Sequence, residues 1–322
     1  MRAAVTGATG FVGRRLVEAL VREGAQVACL ARSRARARTL PAECRIVEGD
    51  LFDRAALTSL SSDAEVVFHC AGLVMARNDA EFLRVNRDGT ESLARAAREA
   101  GVSRVVFVSS LAATGPATSE AAVDERSQPR PVTPYGWSKL AAEAALRAVD
   151  IPSVILRPAA VYGPGDQAFL RIFRMARLGC APVLGDGRQI VSLIHVDDLA
   201  RALVAVAAAP NTAGRLYHAA SPETPSQREL VLAIGGALGR TVRVVAVPAP
   251  VARTVLFITG TVAALFGRAT QLSSNRAGEF LAPAWTCSSA ALEHDTGWRP
   301  EIALGDGLRA TAQWYRQAGW LR

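Results

Sequence analysis

Short apolar runs alternate with helical segments through the first half of this chain, and this alternation strongly limits the folds it can adopt. The runs are nearly continuous, which is typical of parallel strands buried on both faces. The predicted strands are Arg2–Thr6, Gln26–Ala31, Cys44–Val47, Val66–Cys70, Val105–Ser109 and Ser153–Leu156. The predicted helices are Phe11–Arg22, Arg54–Leu60, Glu81–Ala100 and Tyr135–Val149. The pattern predicts an α/β fold with a doubly wound parallel sheet and right-handed crossovers.

The regular alternation stops after Gly163-Pro164-Gly165, and the remainder is rich in Pro, Gly and Trp. We expect a Rossmann-type sheet domain, formed by residues 1–162 plus about 189–220, and a smaller substrate-binding lid domain, formed by about 163–188 plus 221–322. Ligands of such sheets bind beyond the carboxyl ends of the strands, where the strand order reverses. The tryptophans of the second half are expected to serve packing.

The composition excludes several classes of protein. Half of the 322 residues are apolar, which provides for a large core, and the net charge is +8. The basic residues are scattered and lack interleaved aromatics, so we expect no nucleic-acid partner. The five cysteines form no Cys-x-x-Cys pair and the four histidines show no ligand spacing, so we expect reduced thiols and no metal.

The location is predicted to be cytoplasmic. The first strand begins at residue 2, which leaves no room for a signal peptide. The apolar stretch Thr254–Phe266 is too short and too often interrupted by glycine to span a bilayer. Peripheral membrane contact by this stretch and a homodimer are both compatible with the sequence.

A glycine-rich turn, Thr6–Gly13, joins the first predicted strand to the first predicted helix with the spacing Gly-x-x-Gly-x-x-Gly. Glycines permit the backbone to approach a pyrophosphate, and a helix N-terminus offers free N–H groups and a positive dipole end. We therefore predict a dinucleotide site. Its residues here are Gly7, Thr9, Gly10, Phe11, Val12 and Gly13.

The end of the second strand favours NADP(H), although NAD(H) stays open. An NAD site usually places a carboxylate there, whereas this chain has Ala31-Arg32-Ser33-Arg34. Arg32 could pair with a 2′-phosphate, and the alternative is a solvated arginine in an arginine-rich chain. Asp50, beside Leu51, either accepts a hydrogen bond from the adenine amino group or caps a helix.

Lys139 is the only lysine among 37 Lys and Arg residues, and it lies four positions after Tyr135. Positions i and i+4 of a helix share a face, so the phenol and the ammonium can address one small volume. A tyrosine acting as an acid/base at neutral pH needs a neighbouring cation. Ser110 follows the fifth predicted strand, and its hydroxyl could hold a substrate oxygen beside the phenol.

Over almost its whole length the chain resembles an extended short-chain dehydrogenase/reductase. The matching stretches are Thr6–Gly13, Gly49–Leu51, His69–Gly72, Val85-Asn86, Val108–Ser110, Tyr135–Lys139, Arg157–Gly165, Ile194–Asp198, Thr296–Pro300 and Glu301–Trp314. The resemblance implies that Tyr135 is the acid/base, that Lys139 holds the nicotinamide ribose and lowers the tyrosine pKa, and that Ser110 orients the substrate. It also implies that Ala71, Pro158 and Val161 line the nicotinamide pocket. His195–Asp198 is interpreted as structural, with an aspartate capping the helix that it opens.

Three departures bear on the substrate. Sugar-nucleotide dehydratases carry an Asp-Glu pair where this chain has Leu111-Ala112. Nucleotide-sugar epimerases carry an Arg-Asp pair, whose Arg clamps a diphosphate, where this chain has Val191-Ser192. The apolar segment Pro248–Phe266 is similar to one in 3β-hydroxysteroid dehydrogenase-like members.

The sequence therefore predicts an NADP(H)-dependent oxidoreductase that interconverts a secondary alcohol and a ketone on a largely apolar small molecule. It places the chain in the 3β-hydroxysteroid dehydrogenase or dihydroflavonol reductase-like branch. An NAD-dependent nucleotide-sugar epimerase remains an alternative. A second alternative is a non-catalytic redox-sensing binding protein on the same fold, against which the intact serine, tyrosine and lysine speak.

Overall fold

The structure, a computed structural model, describes residues 1–117, 121–248 and 282–321, together with 250, 251, 254 and 259. Its main element is a seven-stranded parallel sheet with the order β11-β6-β5-β4-β1-β2-β3. These strands are β1 (Arg2–Thr6), β2 (Gln26–Ala31), β3 (Arg45–Glu48), β4 (Val66–His69), β5 (Arg104–Val108), β6 (Ser153–Pro158) and β11 (Leu216–Ala219). The predicted doubly wound α/β fold is confirmed.

Helices cover both faces of the sheet, because its strands are apolar on both sides. In β1, Ala3 and Val5 belong to one core, whereas Ala4, between them, belongs to the other. Helices α1 (Phe11–Arg22) and α8 (Val196–Ala208) contribute to the first core. Helices α3 (Arg54–Ser61), α5 (Gly89–Glu99) and α6 (Pro134–Ala148) contribute to the second.

The predicted continuous helix Glu81–Ala100 is wrong in detail, since the segment is built from three pieces. Helix α4 (Asp79–Phe82) leads into a π-helical segment, Leu83–Asp88, and α5 follows. A π-helix adds a residue to the turn and is often found at functional sites. Here it contains Asn86, whose side chain is buried.

A third apolar core lies among the elements that follow β6. Three two-stranded parallel pairs occur there, β7 (Ala160–Tyr162) with β10 (Leu193–His195), β8 (Cys180–Leu184) with β12 (Arg243–Val247), and β9 (Ile190–Val191) with β13 (Ala284–Trp285). The remaining helices are α2 (Arg34–Ala37), α7 (Leu170–Arg177), α9 (Gln227–Leu238), α10 (Ala290–Thr296) and α11 (Leu304–Gln317). The division into two domains stays a prediction.

Most of the apolar segment Pro248–Phe266, for which peripheral membrane contact was left open, lies outside the described residues. Within the described ranges, no helix combines the length and the apolar character that crossing a bilayer requires.

Strand order reverses between β1 and β4, which are neighbours in the sheet although β2 and β3 separate them in sequence. The connections from β1 and from β4 therefore leave in opposite directions and open a crevice at the carboxyl edge. The glycine-rich turn follows β1, and Ala71 follows β4, so both predicted site segments border this crevice.

Candidate active site

The glycine-rich turn is packed so closely that two of its glycines cannot be replaced without movement. Gly7 has φ +69°, and an ideal Cβ on it would lie 2.6 Å from the main-chain nitrogen of Ala71. A Cβ on Gly13 would lie 2.2 Å from the carbonyl oxygen of Gly7. The turn therefore lies directly against the segment after β4, with no room for a side chain at either glycine.

Helix α1 presents its N-terminus to this turn. Gly10 is the N-cap, with extended backbone, and the first helical turn carries no carboxylate. The N–H groups of Phe11, Val12 and Gly13 have no acceptor within the helix. Free donors and a positive dipole end fit the pyrophosphate of a dinucleotide. Thr9 and Gly10 are accessible at the same place.

Arg32 lies directly after β2 and is exposed, so its guanidinium can reach a group bound beyond this strand. Ser33 accepts the N–H of Arg36 and begins helix α2. Asp50 is exposed, and its Oδ1 accepts the N–H of Phe52 at 2.8 Å. That bond closes the turn before α3, whose N-cap is Asp53, so Asp50 does not cap the helix itself, and contact of Asp50 with adenine stays a prediction. Leu51 is buried against Gly89.

Ser110 and Tyr135 are brought together by a close backbone contact. Ser110 caps the short 3₁₀ helix Leu111–Ala113 by accepting the N–H of Ala112 at 3.1 Å. A Cβ on Gly136 would lie 2.3 Å from the carbonyl oxygen of Ala112, so the first turn of α6 rests on that helix. The N-cap of α6, Thr133, accepts the N–H of Gly136 at 3.1 Å. The ring of Tyr135 lies 6.1 Å from that of Phe82, centre to centre.

Lys139 is buried one turn after Tyr135. Its Nζ donates to the carbonyl oxygen of Val108 at 2.7 Å and lies 4.2 Å from the centre of the Phe107 ring. Burial lowers the pKa of Lys139 to about 8, while the charge of Glu143 opposes this shift. The ammonium is thus held at the end of β5, where Ser110 begins the next segment, and it stays mostly protonated at neutral pH.

Asn86 is a residue that the sequence interpretation gave no role, although it lies in a stretch that carries the family resemblance. Its Oδ1 accepts the N–H of Leu73 at 2.7 Å, and its Nδ2 donates to the carbonyl of Leu73 at 3.0 Å and to Ser138 Oγ at 2.8 Å. Ser138 donates in turn to the carbonyl of Tyr135 at 2.7 Å. Asn86 therefore ties the segment after β4 to the helix that carries Tyr135 and Lys139.

The three residues expected to line the nicotinamide pocket lie at the carboxyl edge of the sheet. Ala71 follows β4 and is half-buried, Pro158 ends β6 and is buried, and Val161 is the central residue of β7. The structure therefore groups them with the ends of the strands that carry the glycine turn and Ser110. Their contact with a nicotinamide stays a prediction.

His195–Asp198 has a structural role, as expected, but its capping group is not an aspartate. His195 Nδ1 accepts the N–H of Asp197 at 3.3 Å and caps α8. Asp197 binds Arg15 through both oxygens at 2.7 and 2.8 Å. Asp198 is fully buried and accepts the N–H groups of Glu301 and Ile302 at 3.2 Å. This segment therefore anchors later parts of the chain.

The two pairs of positions that carry polar residues in sugar-nucleotide enzymes hold residues that pack inside the protein here. Leu111 and Ala112 are buried in the 3₁₀ helix. Val191 pairs with Trp285 in the β9–β13 ladder, and buried Ser192 accepts the N–H of Cys287 at 3.2 Å. Neither place offers a charged group to a diphosphate.

Known proteins match this arrangement along nearly the whole chain. A ceramide reductase from Caulobacter vibrioides is 36% identical over 99% of this chain and 95% of its own length. A UDP-glucose 4-epimerase from Mycolicibacterium smegmatis is 31% identical over 98% of this chain and 99% of its own length. The solved structure of MoeE5 in complex with UDP-glucuronic acid and NAD is 27% identical to this chain and has a TM-score of 0.79. The match covers 99% of this chain and 100% of the MoeE5 chain.

The model of the NAD dependent epimerase/dehydratase family matches residues 3–220, which include the glycine turn, Ser110, Tyr135 and Lys139. The chain is an NAD(P)-dependent oxidoreductase of the extended short-chain dehydrogenase/reductase type and belongs to the NAD dependent epimerase/dehydratase family.

Proposed function

We propose that the protein reduces a ketone to a secondary alcohol, with NADPH, on a long-chain and largely apolar substrate. The observation that carries this proposal is the combination of Ser110, Tyr135 and Lys139 at one strand end with Val191 and Ser192 at the diphosphate-clamping positions. The first set provides for carbonyl chemistry, and the second removes the charge that a sugar nucleotide requires.

A nicotinamide cofactor, when bound, would supply a hydride for the carbonyl carbon. Ser110 donates a hydrogen bond to the carbonyl oxygen and fixes it beside the phenol of Tyr135. Tyr135 delivers the proton to that oxygen as the alcohol forms, and Lys139 provides the adjacent positive charge. The glycine turn and the start of α1 would hold the pyrophosphate of this cofactor, and Arg32 would pair with its 2′-phosphate.

Exposed apolar groups at the start of α6, the helix that carries Tyr135, are compatible with a lipid-like substrate, although the groove that they line does not include Tyr135 itself. A groove of about 380 Å³ runs between the start of the π-helical segment and the start of α6. It is lined by Asp79, Leu83, Pro131, Val132, Thr133, Pro134 and Trp137. Val132 and Trp137 are 40% and 56% exposed, and such exposed apolar side chains favour contact with an apolar ligand. The similarity to a ceramide reductase points to the same class, a ketone on a lipid with alkyl chains.

The epimerase is the second candidate, and the specific observation in its favour is the similarity to UDP-glucose 4-epimerase and to MoeE5 with bound UDP-glucuronic acid and NAD. The branch of 3β-hydroxysteroid dehydrogenases, a homodimer and a cytoplasmic location stay predictions. Non-catalytic redox sensing is a further alternative that the same experiment addresses.

The test measures thermal midpoints with NADPH or NADH present, across UDP- and dTDP-sugars and a series of alkyl, steroid and flavonoid ketones. A ligand at a hundred times its dissociation constant adds about 2.7 kcal/mol to the free energy of unfolding, which raises the midpoint visibly. We expect apolar ketones to raise it and to be consumed with NADPH. Tyr135→Phe should bind the same ketones without turnover.

Stabilisation by a UDP-sugar, with none by any ketone, would assign the site to the epimerase. Binding of cofactor and ligand by the unmodified protein, with no turnover in either direction, would favour the redox-sensing alternative.

A further inference from the structure

Glu143 and Arg157 form an ion pair that is buried beneath the proposed catalytic residues. Arg157 Nε donates to Glu143 Oε1 at 2.8 Å, and Arg157 Nη2 donates to Glu143 Oε2 at 2.6 Å. The Arg157 side chain is 3% exposed and the Glu143 side chain is 0% exposed. A buried ion pair contributes little net stability relative to apolar residues of similar volume. Its location therefore needs a reason other than stability.

The Glu143 carboxylate connects the two chain segments that carry the proposed catalytic groups. Glu143 lies on α6 four residues after Lys139, so both side chains are on one face of that helix. Ser109 Oγ donates to Glu143 Oε1 at 2.5 Å, and Ser109 directly precedes Ser110. Because Lys139 also bonds the carbonyl of Val108, the end of β5 is attached to α6 at two points one turn apart.

Arg157 extends this attachment to the other side of Ser110. Its Nη1 donates to Thr114 Oγ1 at 3.0 Å, and Thr114 directly follows the 3₁₀ helix that Ser110 caps. Ser110 is therefore flanked by Ser109 and Thr114, and both are bound to the same ion pair. A displacement of either charge would shift the serine relative to Tyr135.

The negative charge of Glu143 also affects the protonation of Lys139. The titratable groups around Lys139 are Tyr135 and Glu143, one turn before and one turn after it on α6, and His69 and Cys70 at the end of β4, while Arg157 pairs with Glu143. Burial, with the charge of Lys139 adding to it, lowers the pKa of His69 to about 3, and burial raises the pKa of Cys70 to about 12, so both are neutral at pH 7. In the described part of the chain, Glu143 is thus the carboxylate whose charge acts on Lys139.

We propose that Glu143 is a positioning residue of the reduction, which holds Ser110 in place through Ser109 and keeps the buried Lys139 in its ammonium form. The inference rests on the proposed function for its effect on turnover, whereas its effect on Lys139 requires neither cofactor nor substrate. Burial alone drives Lys139 toward the neutral amine, and the carboxylate one turn away opposes this.

The test uses the full chain, grown with lysine labelled with ¹³C at Cε. Because Lys139 is the only lysine, its Cε gives one resonance, and the pH dependence of that resonance reads the protonation of this group directly. We expect a midpoint near pH 8 in the unmodified protein and a midpoint lower by about one unit in Glu143→Gln. A midpoint unchanged in Glu143→Gln would overturn the proposal.

Two variants separate the charge of Glu143 from its contact with Ser109. Ser109→Ala keeps the ion pair, so kcat should fall about tenfold while the Lys139 midpoint stays in place. Glu91→Gln removes the carboxylate of an exposed pair with Arg95 on α5 and should change neither quantity. A shifted lysine midpoint in Ser109→Ala, or an unchanged kcat there, would contradict the assigned roles.

If Glu143→Gln does not fold, Glu143→Asp is titrated instead. This variant keeps the negative charge but shortens the side chain by one methylene. We therefore expect the Lys139 midpoint to fall by less than in Glu143→Gln, and an unchanged midpoint would count against the proposal. If no ketone is reduced even by the unmodified protein, the proposed function fails while the titration of Lys139 still decides the electrostatic role of Glu143.

Discussion

Lys139 Nζ donates to the carbonyl oxygen of Val108 at 2.7 Å, so the one lysine of the chain is fixed to the last residue of β5. The carbonyl lies two residues before Ser110, and the lysine lies four residues after Tyr135. This bond sets the spacing between the strand end and α6 where the proposed reaction takes place.

Lys139→Arg should reduce kcat by about 10²-fold or more, because the planar guanidinium is too broad for this buried site and misplaces the cofactor ribose. Steady-state kinetics with the ketone identified by the thermal-shift series would measure this. Arg147→Lys, on the exposed face of the same helix, is the matched control and should keep its kcat. Near wild-type turnover in Lys139→Arg would contradict the proposed role of the ammonium.

Lys139→Met should be more stable than the unmodified protein at pH 7, by about 1–3 kcal/mol, while losing turnover. The pKa of Lys139 is lowered from 10.5 to about 8 in the folded state, so burial of the ammonium costs stability below pH 8. That cost is relieved between pH 8 and 10.5, where the native state releases its proton first. Urea unfolding at pH 7 and pH 10 should show the advantage of Lys139→Met shrinking, and a constant advantage would refute the burial argument.

Arg32→Asp should change the cofactor preference toward NAD(H), because a carboxylate repels the 2′-phosphate and can accept a hydrogen bond from the free 2′-hydroxyl. Fluorescence titrations of both cofactors would measure the ratio of dissociation constants. Arg38→Asp, an exposed arginine just after α2, should leave that ratio unchanged. If the unmodified protein binds NADH more tightly than NADPH, Arg32 has no part in selectivity.

Asn86→Ala should destabilise the fold by about 1–3 kcal/mol, because the N–H and the carbonyl of Leu73 then lose their shared partner. It should also lower kcat, since Ser138 and the first turn of α6 are no longer tied to the segment after β4. Asn78→Ala, which removes only the N-cap of the short helix α4, is a control that should lose some stability and keep kcat. An unchanged kcat in Asn86→Ala would limit Asn86 to packing.

Affinity for ketones should rise with alkyl length, by several-fold for each methylene, until the apolar site is filled, since each buried methylene contributes about 0.8 kcal/mol. Trp137→Ala should weaken the binding of long ketones much more than that of short ones. Calorimetric titration in the presence of NADPH gives both dependences. A flat dependence on chain length would remove the lipid-like substrate from consideration.

Six of the seven strands of the sheet could be predicted from the sequence because they are apolar on both faces, and each lies within about two residues of its predicted bounds, whereas the seventh, β11 (Leu216–Ala219), was not predicted. The glycine turn and the spacing of Tyr135 and Lys139 were equally accessible, since both are local patterns. The π-helical segment could not be predicted in this way, because the bonds of its Asn86 go to Leu73 and Ser138, which are 13 and 52 positions away in the sequence. The Glu143–Arg157 pair likewise joins a helix to a strand, and the spacing of the two residues in the sequence does not predict that they pair.

Asp198 has a consequence for how the protein is made on the ribosome. Its buried carboxylate bonds the amides of Glu301 and Ile302, and its carbonyl accepts from Trp298, all near the end of the chain. During synthesis, the Asp198 carboxylate can pair at once with Arg201 on the same helix, but about a hundred further residues have to be made before it acquires these backbone donors. A nascent chain that stops before residue 298 should expose this end of α8 and be a preferred target for chaperones and proteases, however complete its parallel sheet already is.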